Sequence, residues 1–362
     1  MHYLDANATE PLRPEARAAM LAAFDLTGNP SSVHGAGRAA RRVVEDARES
    51  LAQRFGARAD DLVFTSGGTE ADALAIHALG AGRRLIIGAA EHEAVHAAAR
   101  GADILPVDRA GIADLATLDR LLSDGPSALV CLMWANNETG TIQPIAEAAA
   151  ICRRHGALLH VDAVQAAGRQ PVTLVGDSMA LSSHKMGGPA GVGALLLSPE
   201  HSHIRPLIAG GGQERGRRGG TLAAPLIAGF TAAAQVAGDA AWLAPLRDAA
   251  ERAARACGAV VCGGDAARLP NTTCLALPGV RADAQVIALD LDGIAVSAGA
   301  ACSSGKVAAS HVLTAMGLGA LAGQAIRVSL PWNATPADID AFATAYQRMA
   351  ARLRPALAPH AA

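Results

Sequence analysis

The stretch LVFTSGGTEADALAIHAL, residues 62–79, joins a short apolar run to a glycine turn and a helix-forming segment. The apolar run 62–65 has the length and hydrophobicity of a strand that is buried on both faces. The same order of strand, small-residue turn and helix recurs along the chain. Further strands of this kind are predicted at 84–88, 128–134, 157–162, 179–183 and 192–198. Buried strands that alternate with helices predict an α/β fold with a mostly parallel sheet and right-handed crossovers.

The rest of the chain predicts helices around this sheet and a second, smaller α+β domain. A glycine- and arginine-rich stretch, GGGQERGRRGGT at 210–221, separates the strand series from a long helical pattern. The elements predicted outside the sheet are helices at 14–24, 36–55, 222–257, 283–291, 310–316 and 336–353, and strands near 271–277 and 325–330. We therefore expect a large domain over 14–242 and a small domain formed by 1–13 and 243–362.

Composition and charge limit the classes of protein that this chain can represent. Its 362 residues are enough for two domains, and 51% of them are apolar, which is typical of a globular protein. The formal net charge of -2 provides no basic field for nucleic acid or an anionic membrane. We find no uninterrupted apolar stretch of about 18 residues and no signal-peptide pattern at the N-terminus. The sequence therefore predicts a cytoplasmic protein with neither nucleic acid nor membrane as a partner.

The cysteines do not form a disulfide or zinc-ribbon pattern. They are Cys131, Cys152, Cys257, Cys262, Cys274 and Cys302, and none belongs to a CxxC pair. Cys131 and Cys152 lie in apolar segments, so we expect both to be buried. Cys302 differs because its neighbours in SAGAACSSG, 297–305, are small residues that cannot bury it. The alternatives for Cys302 are an incidental exposed thiol and a thiol that takes part in chemistry.

The stretch HEAVH, 92–96, matches the HExxH pattern of zinc hydrolases. In those enzymes both histidines lie on one helical turn, the glutamate is a base, and a third ligand follows. Here His92 follows the strand 84–88 too closely to lie within a helix, and no extended ligand pattern follows His96. The sequence therefore supports a zinc hydrolase much less well than it supports the function that the next motifs indicate. We expect no metal ligands.

Three motifs at predicted strand ends contain the groups that pyridoxal phosphate requires. SSHKMGG, 182–188, provides the Lys185 amine for the aldehyde, and HVDAVQ, 160–165, provides the Asp162 carboxylate for the pyridine nitrogen. TSGGTE, 65–70, provides a helix N-terminus, whose free N–H groups bind phosphate. Taken singly, Lys185 is explained as a surface lysine and Asp162 as a helix N-cap. Together at neighbouring strand ends, the three motifs predict a pyridoxal-phosphate site.

The chain resembles the cysteine desulfurases, which belong to the class V aminotransferase group of fold-type I pyridoxal-phosphate enzymes. The resemblance runs from residue 3 to about residue 345 and implies a homodimer with shared sites and a function in iron–sulfur cluster assembly. The motifs that carry it are YLDANAT (3–9), FTSGGTEAD (64–72), EHEAV (91–95), NNETG (136–140), HVDAVQ, SSHK, GGGQERGRRGGT and SAGAACSSG.

The resemblance also implies a role for each matching residue. Cys302 would attack the sulfur of L-cysteine, release L-alanine and become a persulfide, before passing sulfur to an iron–sulfur scaffold or another acceptor protein. Lys185 would attach the cofactor covalently, His92 would stack on its ring and transfer protons, and Asp162 and Gln165 would pair with the pyridine nitrogen and the ring hydroxyl, respectively. The phosphate would be bound by Gly68, Thr69, Ser182 and His184, and Thr221 would bind the phosphate in the neighbouring subunit. Asn137 would contact the cofactor, and Asn137 and Arg327 would bind the substrate carboxylate.

The sequence alone leaves three other functions open. A selenocysteine lyase would have the same fold and cofactor, and Cys302 discriminates because selenide can be eliminated without a thiol nucleophile. A zinc hydrolase would use His92 and His96. A non-catalytic sulfur-carrier partner would have no reason to keep Lys185, Asp162 and Cys302 together.

Overall fold

The computed structural model describes residues 1–123, 125–299 and 309–354. The strands are β1 (His2–Tyr3), β2 (Leu62–Thr65), β3 (Arg84–Gly88), β4 (Asp103–Leu105), β5 (Ala128–Met133), β6 (Leu158–Asp162), β7 (Ser178–Ser182), β8 (Gly193–Leu197), β9 (Val260–Cys262), β10 (Thr272–Ala276), β11 (Ile294–Ala295), β12 (Ser297–Ala298) and β13 (Ala325–Ser329). The helices are α1 (Pro14–Phe24), α2 (Gly35–Arg54), α3 (Gly68–Leu79), α4 (Glu93–Ala98), α5 (Leu115–Ser123), α6 (Ile145–Arg154), α7 (Ala224–Val236), α8 (Ala244–Ala256), α9 (Ala282–Leu291), α10 (His311–Ala315) and α11 (Pro336–Leu353).

The central sheet has the strand order β2-β8-β7-β6-β5-β3-β4 within the described residues. The strands from β7 to β4 pair in parallel, whereas β8 pairs antiparallel with both β7 and β2. The short connection 183–192 between β7 and β8 explains this exception, because a parallel neighbour needs a longer crossover. The predicted α/β fold with a mostly parallel sheet is confirmed.

The strands of this sheet are apolar because helices cover both of its faces. In β5, Val130 and Leu132 pack into one apolar cluster that includes α2 and α6. The alternate residues Leu129 and Cys131 pack into another cluster that includes α3 and α4. Cys152 of α6 is also buried, so the predictions for Cys131 and Cys152 are confirmed.

A second sheet lies toward the C-terminus, with the antiparallel strand order β12-β13-β10-β9 in the described part of the chain. It belongs to a separate apolar cluster that combines Leu4 with residues between 243 and 350. The strand β1 joins this region by pairing in parallel with β11. The N-terminal residues are therefore packed with the C-terminal part of the chain.

One predicted element differs from the structure, and one strand of the central sheet was not predicted. The helical pattern 222–257 is two helices, α7 and α8. Gly238 follows the end of α7, and Pro245 lies in the first turn of α8, where proline cannot continue a preceding helix. The edge strand β4 was not predicted, since its three residues are too few to form a recognisable apolar run. Among the described residues, no single helix has the length and apolar composition to cross a membrane, although α7 and the bent segment that follows pass that test as a pair.

A buried ion pair fixes the glycine- and arginine-rich stretch 210–221 against the sheet. Both carboxylate oxygens of Glu214 accept hydrogen bonds from Arg48 of α2, at 2.6 and 2.9 Å, and Oε2 also accepts from the Phe64 backbone N–H at 2.8 Å. Glu214 has a left-handed backbone with φ of 48°, which is uncommon for a residue other than glycine. The buried pair compensates for this unfavourable backbone.

We expect Glu214→Ala to lower the free energy of unfolding by about 3 kcal/mol, because it leaves the buried Arg48 guanidinium with only the half-exposed Glu45 as an anionic partner. Urea denaturation monitored by circular dichroism measures this change. Asp119→Ala is the control, since Asp119 pairs with Arg154 on the surface and its loss should have a much smaller effect. Equal stability losses in the two variants would contradict this account of Glu214.

Candidate active site

One cavity of about 400 Å³ opens at the carboxyl ends of β5, β6 and β7. Its volume falls within the range of about 300–1,000 Å³ that is usual for small-molecule sites. It brings together most of the residues that the sequence predicted for the site. These are Gly68, Thr69, His92, Asn137, Asp162, Gln165, Ser182, His184, Lys185 and Arg327.

Two predicted site residues are not part of this cavity as described. Thr221 is exposed and lines a separate surface cavity with Phe24 and Leu26. Cys302 lies outside the described residues. The structure therefore groups the predicted cofactor and carboxylate ligands other than Thr221, and it does not describe the predicted nucleophile.

Lys185 lies in a helical turn, 183–185, directly after β7. Its Nζ donates to the backbone oxygens of Asn7 at 2.5 Å and Ala8 at 2.9 Å. Burial, reinforced by the positive charges of Arg327 and Arg169, lowers the pKa of Lys185 from 10.5 to about 7. A large fraction of this amine is consequently neutral, and therefore nucleophilic, near neutral pH.

We expect the covalent attachment of pyridoxal phosphate to the apoenzyme to follow the neutral fraction of Lys185. Below pH 7 the rate should fall about tenfold per pH unit, because the protonated amine is not nucleophilic, and above pH 7 it should level off. Borohydride trapping followed by mass spectrometry measures the rate. Asp162 also titrates in this range, so Asp162→Asn is the control that removes its contribution to the pH dependence. A rate that keeps rising toward pH 10 would contradict the lowered pKa.

Asp162 is the last residue of β6, which pairs with β7, the strand that precedes Lys185. Its Oδ1 accepts from the Val164 N–H at 2.9 Å, which fixes the carboxylate at the start of the following turn. Burial, followed by the nearby Asp72, raises the pKa of Asp162 to about 7. A buried carboxylate of this kind gains a partner when a protonated ring nitrogen binds beside it.

Two more carboxyl groups are buried close to Asp162, and sequence reasoning missed them both. Asp72 of α3 contacts Nε2 of His160 at 3.1 Å, and Nδ1 of His160 contacts the Ser178 hydroxyl at 2.8 Å. Burial raises the pKa of Asp72 to about 8. Glu91 accepts from the Met133 N–H at 2.8 Å, and burial raises its pKa well above the usual range. This part of the site therefore carries less negative charge than its carboxyl groups suggest.

The first turn of α3 forms one end of the cavity. Gly68 begins this helix, and a Cβ at that position would lie 2.7 Å from a methyl group of Val164. Only glycine fits this close approach. Thr69, the buried Ser182 and His184 line the same cavity, and backbone N–H groups at the start of a helix attract anions. This end of the cavity is suited to a phosphate group.

His92 precedes α4 as its N-cap, which confirms that it does not lie within the helix. Its Nδ1 accepts from the Ala94 N–H at 3.1 Å, so the neutral ring carries its hydrogen on Nε2. Burial is the main reason that the pKa of His92 is lowered. In the described part of the chain, no group of three or more histidine, cysteine, aspartate or glutamate side chains could hold a metal ion. The HEAVH stretch therefore gives the zinc hydrolase alternative no support.

Arg327 of β13 provides the cationic side of the cavity. Its Nη2 donates to Oδ1 of Asp5 at 2.7 Å, and its Nη1 donates to the backbone oxygen of Asn137 at 3.1 Å. The Arg327 side chain is only 5% exposed, so it is not a surface arginine. A planar guanidinium in this setting is suited to a carboxylate ligand.

The N-terminal segment 5–8 forms a wall of the cavity that sequence reasoning did not assign. Asp5, Asn7 and Ala8 all line it. The Asn7 side chain donates to the Asn137 backbone oxygen at 3.0 Å and to the Thr272 hydroxyl at 2.9 Å. The sequence signal for this wall is the motif YLDANAT, 3–9, whose polar residues include Asp5 and Asn7.

The chemistry of these residues and the volume of the cavity both fit pyridoxal phosphate. The cavity has an amine of lowered pKa for an aldehyde, a buried carboxylate for a pyridinium nitrogen and a helix start for a phosphate. Gly68 lines the cavity without a side chain, so its backbone is open to a ligand. The sheet and this set of groups define the class as a fold-type I pyridoxal-phosphate enzyme.

Comparisons with known proteins agree with this class. Residues 2–342 match the family described as aminotransferase class-V. A protein named cysteine desulfurase from Cereibacter sphaeroides is 44% identical, over 99% of this chain and 98% of its own. An IscS-like cysteine desulfurase from Mycobacterium tuberculosis is 39% identical, over 98% of this chain and 97% of its own. The solved structure of a NifS-like protein from Rickettsia africae superposes with a TM-score of 0.89 at 35% identity, covering 96% of this chain and 99% of the other.

The chain therefore belongs to the class-V aminotransferase family, within its cysteine desulfurases. Pyridoxal phosphate is the cofactor of this family. The predicted family, fold and cofactor are confirmed.

Proposed function

We propose that this protein is a pyridoxal-phosphate-dependent cysteine desulfurase that converts L-cysteine to L-alanine and carries the removed sulfur as a persulfide on Cys302. The observation that carries the proposal is the meeting of Lys185, Asp162 and Arg327 in one cavity. The similarity to cysteine desulfurases over nearly the whole chain supports it.

The cavity residues have distinct roles in binding. Lys185 would hold the aldehyde end of pyridoxal phosphate, Asp162 would pair with its ring nitrogen, and Gln165 would pair with its ring hydroxyl. Gly68, Thr69, Ser182 and His184 would hold the phosphate. When bound, pyridoxal phosphate stabilises negative charge next to the substrate's α-carbon and so weakens the bond to sulfur.

The protein groups also orient the substrate and move protons. Arg327 and Asn137 bind the carboxylate of L-cysteine, which fixes the substrate in the cavity. The neutral Lys185 amine accepts a proton at Nζ, and His92 would relay a proton through Nε2, the ring nitrogen that the Ala94 N–H leaves free. Burial lowers the pKa of Lys185 to about 7, so its amine exchanges protons near neutral pH, and burial also lowers the pKa of His92, which favours its neutral ring.

The sulfur step balances without an external oxidant. The thiolate of Cys302 attacks the sulfur of L-cysteine, the carbon–sulfur bond breaks, and a sulfur–sulfur bond forms. Each of the two sulfurs is oxidised by one electron, and the β-carbon of the substrate takes up these two electrons and a proton to become the methyl group of L-alanine. The persulfide then passes sulfur to an iron–sulfur scaffold or another sulfur-carrier protein.

The test of this function is the formation of sulfide and L-alanine from L-cysteine by the purified protein, supplied with pyridoxal phosphate and a thiol reductant. The two products should form in equal amounts. The formation of pyruvate and ammonia without L-alanine would overturn the proposal.

We also propose that the enzyme is a homodimer in which Thr221 completes the phosphate site of the partner subunit. The exposure of Thr221 and of the neighbouring apolar Phe24 supports this assembly. Thr221→Ala should weaken cofactor binding. Mixed dimers of one Thr221→Ala subunit and one Lys185→Ala subunit should regain one native site. A lack of recovered activity in these dimers would contradict shared sites.

The division into domains 14–242 and 1–13 with 243–362 is likewise a proposal, supported by the separate apolar cluster that joins Leu4 to the C-terminal residues. A cytoplasmic location stays a prediction of the sequence.

A further inference from the structure

The guanidinium of Arg327 already has an anionic partner within the site. Its Nη2 donates to Oδ1 of Asp5 at 2.7 Å. The side chain of Asp5 is 20% exposed, and both residues line the cavity that contains Lys185. An amino acid bound through its carboxylate would therefore share Arg327 with a carboxylate of the protein.

The backbone holds Asp5 firmly in this position. Asp5 forms a β-bridge with Ser329, two residues after Arg327 on the same strand. Its carbonyl accepts from the Tyr3 hydroxyl at 3.0 Å and from the Ala8 N–H at 2.9 Å. Because the strand pairing places Asp5 beside Arg327, the ion pair is part of the fold and not a contact between flexible surface side chains.

Arg327 also has donors left for a ligand. The contacts with Asp5 and Asn137 use two of the five N–H groups of a guanidinium. The Nε of Arg327 is buried and has no hydrogen-bond partner among the described residues. A ligand carboxylate can therefore bind while Asp5 stays in place, so that two anions share one cation.

We propose that Asp5 is an affinity-setting residue, a counter-ion of Arg327 that weakens the binding of amino-acid carboxylates. Two carboxylates on one guanidinium repel each other, and the effect is strong in a buried site. L-Alanine has the same carboxylate as L-cysteine, so a shared Arg327 lowers the affinity for the product as well as for the substrate. This inference rests on the proposed function, which makes these two amino acids the ligands.

The test compares L-alanine with ethylamine, which is alanine without its carboxylate. Asp5→Asn keeps the shape of the side chain and an oxygen acceptor but removes the charge. Calorimetry on the cofactor-loaded protein should show L-alanine binding about tenfold more tightly to the variant than to the native protein. Ethylamine, which has nothing for Arg327 to bind, should keep its affinity. Inhibition of sulfide release by L-alanine should strengthen by the same factor.

Two further variants separate charge from structure. Asp5→Glu keeps the charge and should leave the preference between L-alanine and ethylamine near the native value. Glu10→Gln alters the buried pair between Glu10 and Arg169 and should change both ligands alike. Unchanged or weaker L-alanine binding in Asp5→Asn, or an equal change for both ligands, would overturn the proposal. If Asp5→Asn fails to fold, a loss of the native preference in Asp5→Glu overturns it instead.

The comparison stays informative if the proposed function fails. A native protein that releases no sulfide from L-cysteine would refute the desulfurase activity. The two ligand affinities would still test Asp5, because they measure binding and not turnover.

Discussion

Replacing Lys185 by alanine is expected to lower sulfide release from L-cysteine by at least about 10⁴-fold, at the upper end of what a proton-transferring group contributes. The variant loses the amine that attaches the cofactor and the proton acceptor at the same position. Steady-state sulfide release measures the rate, and mass spectrometry after borohydride reduction measures the attachment.

The sequence offers a matched control for this variant. The chain has only two lysines, Lys185 and Lys306, and Lys306 lies outside the described residues. Lys306→Ala should keep the covalent attachment of pyridoxal phosphate, whereas Lys185→Ala should lose it. Attachment that survives in Lys185→Ala and disappears in Lys306→Ala would place the cofactor elsewhere in the molecule.

The second large effect is expected from Asp162→Asn. The amide keeps the size of the side chain but cannot balance the charge of a protonated ring nitrogen in a buried site. Because charge stabilisation of this kind contributes about 10²–10³-fold, we expect activity to fall toward the larger value. The absorption spectrum of the bound cofactor should also change its pH dependence, a readout that does not depend on turnover.

Asp177→Asn is the control for Asp162→Asn. Asp177 accepts from the Leu159 N–H at 2.7 Å near the opposite end of β6, and an asparagine oxygen can keep this bond. Its activity should stay close to that of the native protein. Equal losses in the two variants would show that Asp162 acts through the stability of β6 and not through the cofactor.

The sheet could be predicted because burial on both faces makes its strands nearly continuously apolar. Lys185 and Asp162 could be predicted because they interrupt that pattern at strand ends, where parallel strands bring their side chains together. The antiparallel β8 was not foreseen, since an apolar strand carries no mark of its direction. The break after α7 was missed because alanine-rich segments continue the helical pattern across Gly238.

The polar wall of the cavity was harder to predict. Asp5 and Arg327 are 322 residues apart, and neither position signals the other. Their contact depends on the β-bridge that Asp5 forms with Ser329, beyond the reach of local patterns. Asp72 looked like an ordinary polar residue of α3, although it lies one turn after Gly68 and therefore faces the same cavity.

The most direct test of the account is a single-turnover experiment with one equivalent of L-cysteine on the native protein, Cys302→Ala and Cys257→Ala. Cys257 is the control because it is half-buried, whereas the other described cysteines are buried. The account predicts one equivalent of L-alanine and a persulfide on Cys302 in the native protein and in Cys257→Ala, and neither product in Cys302→Ala. L-Alanine formation at the native rate in Cys302→Ala would contradict it and favour a selenocysteine lyase.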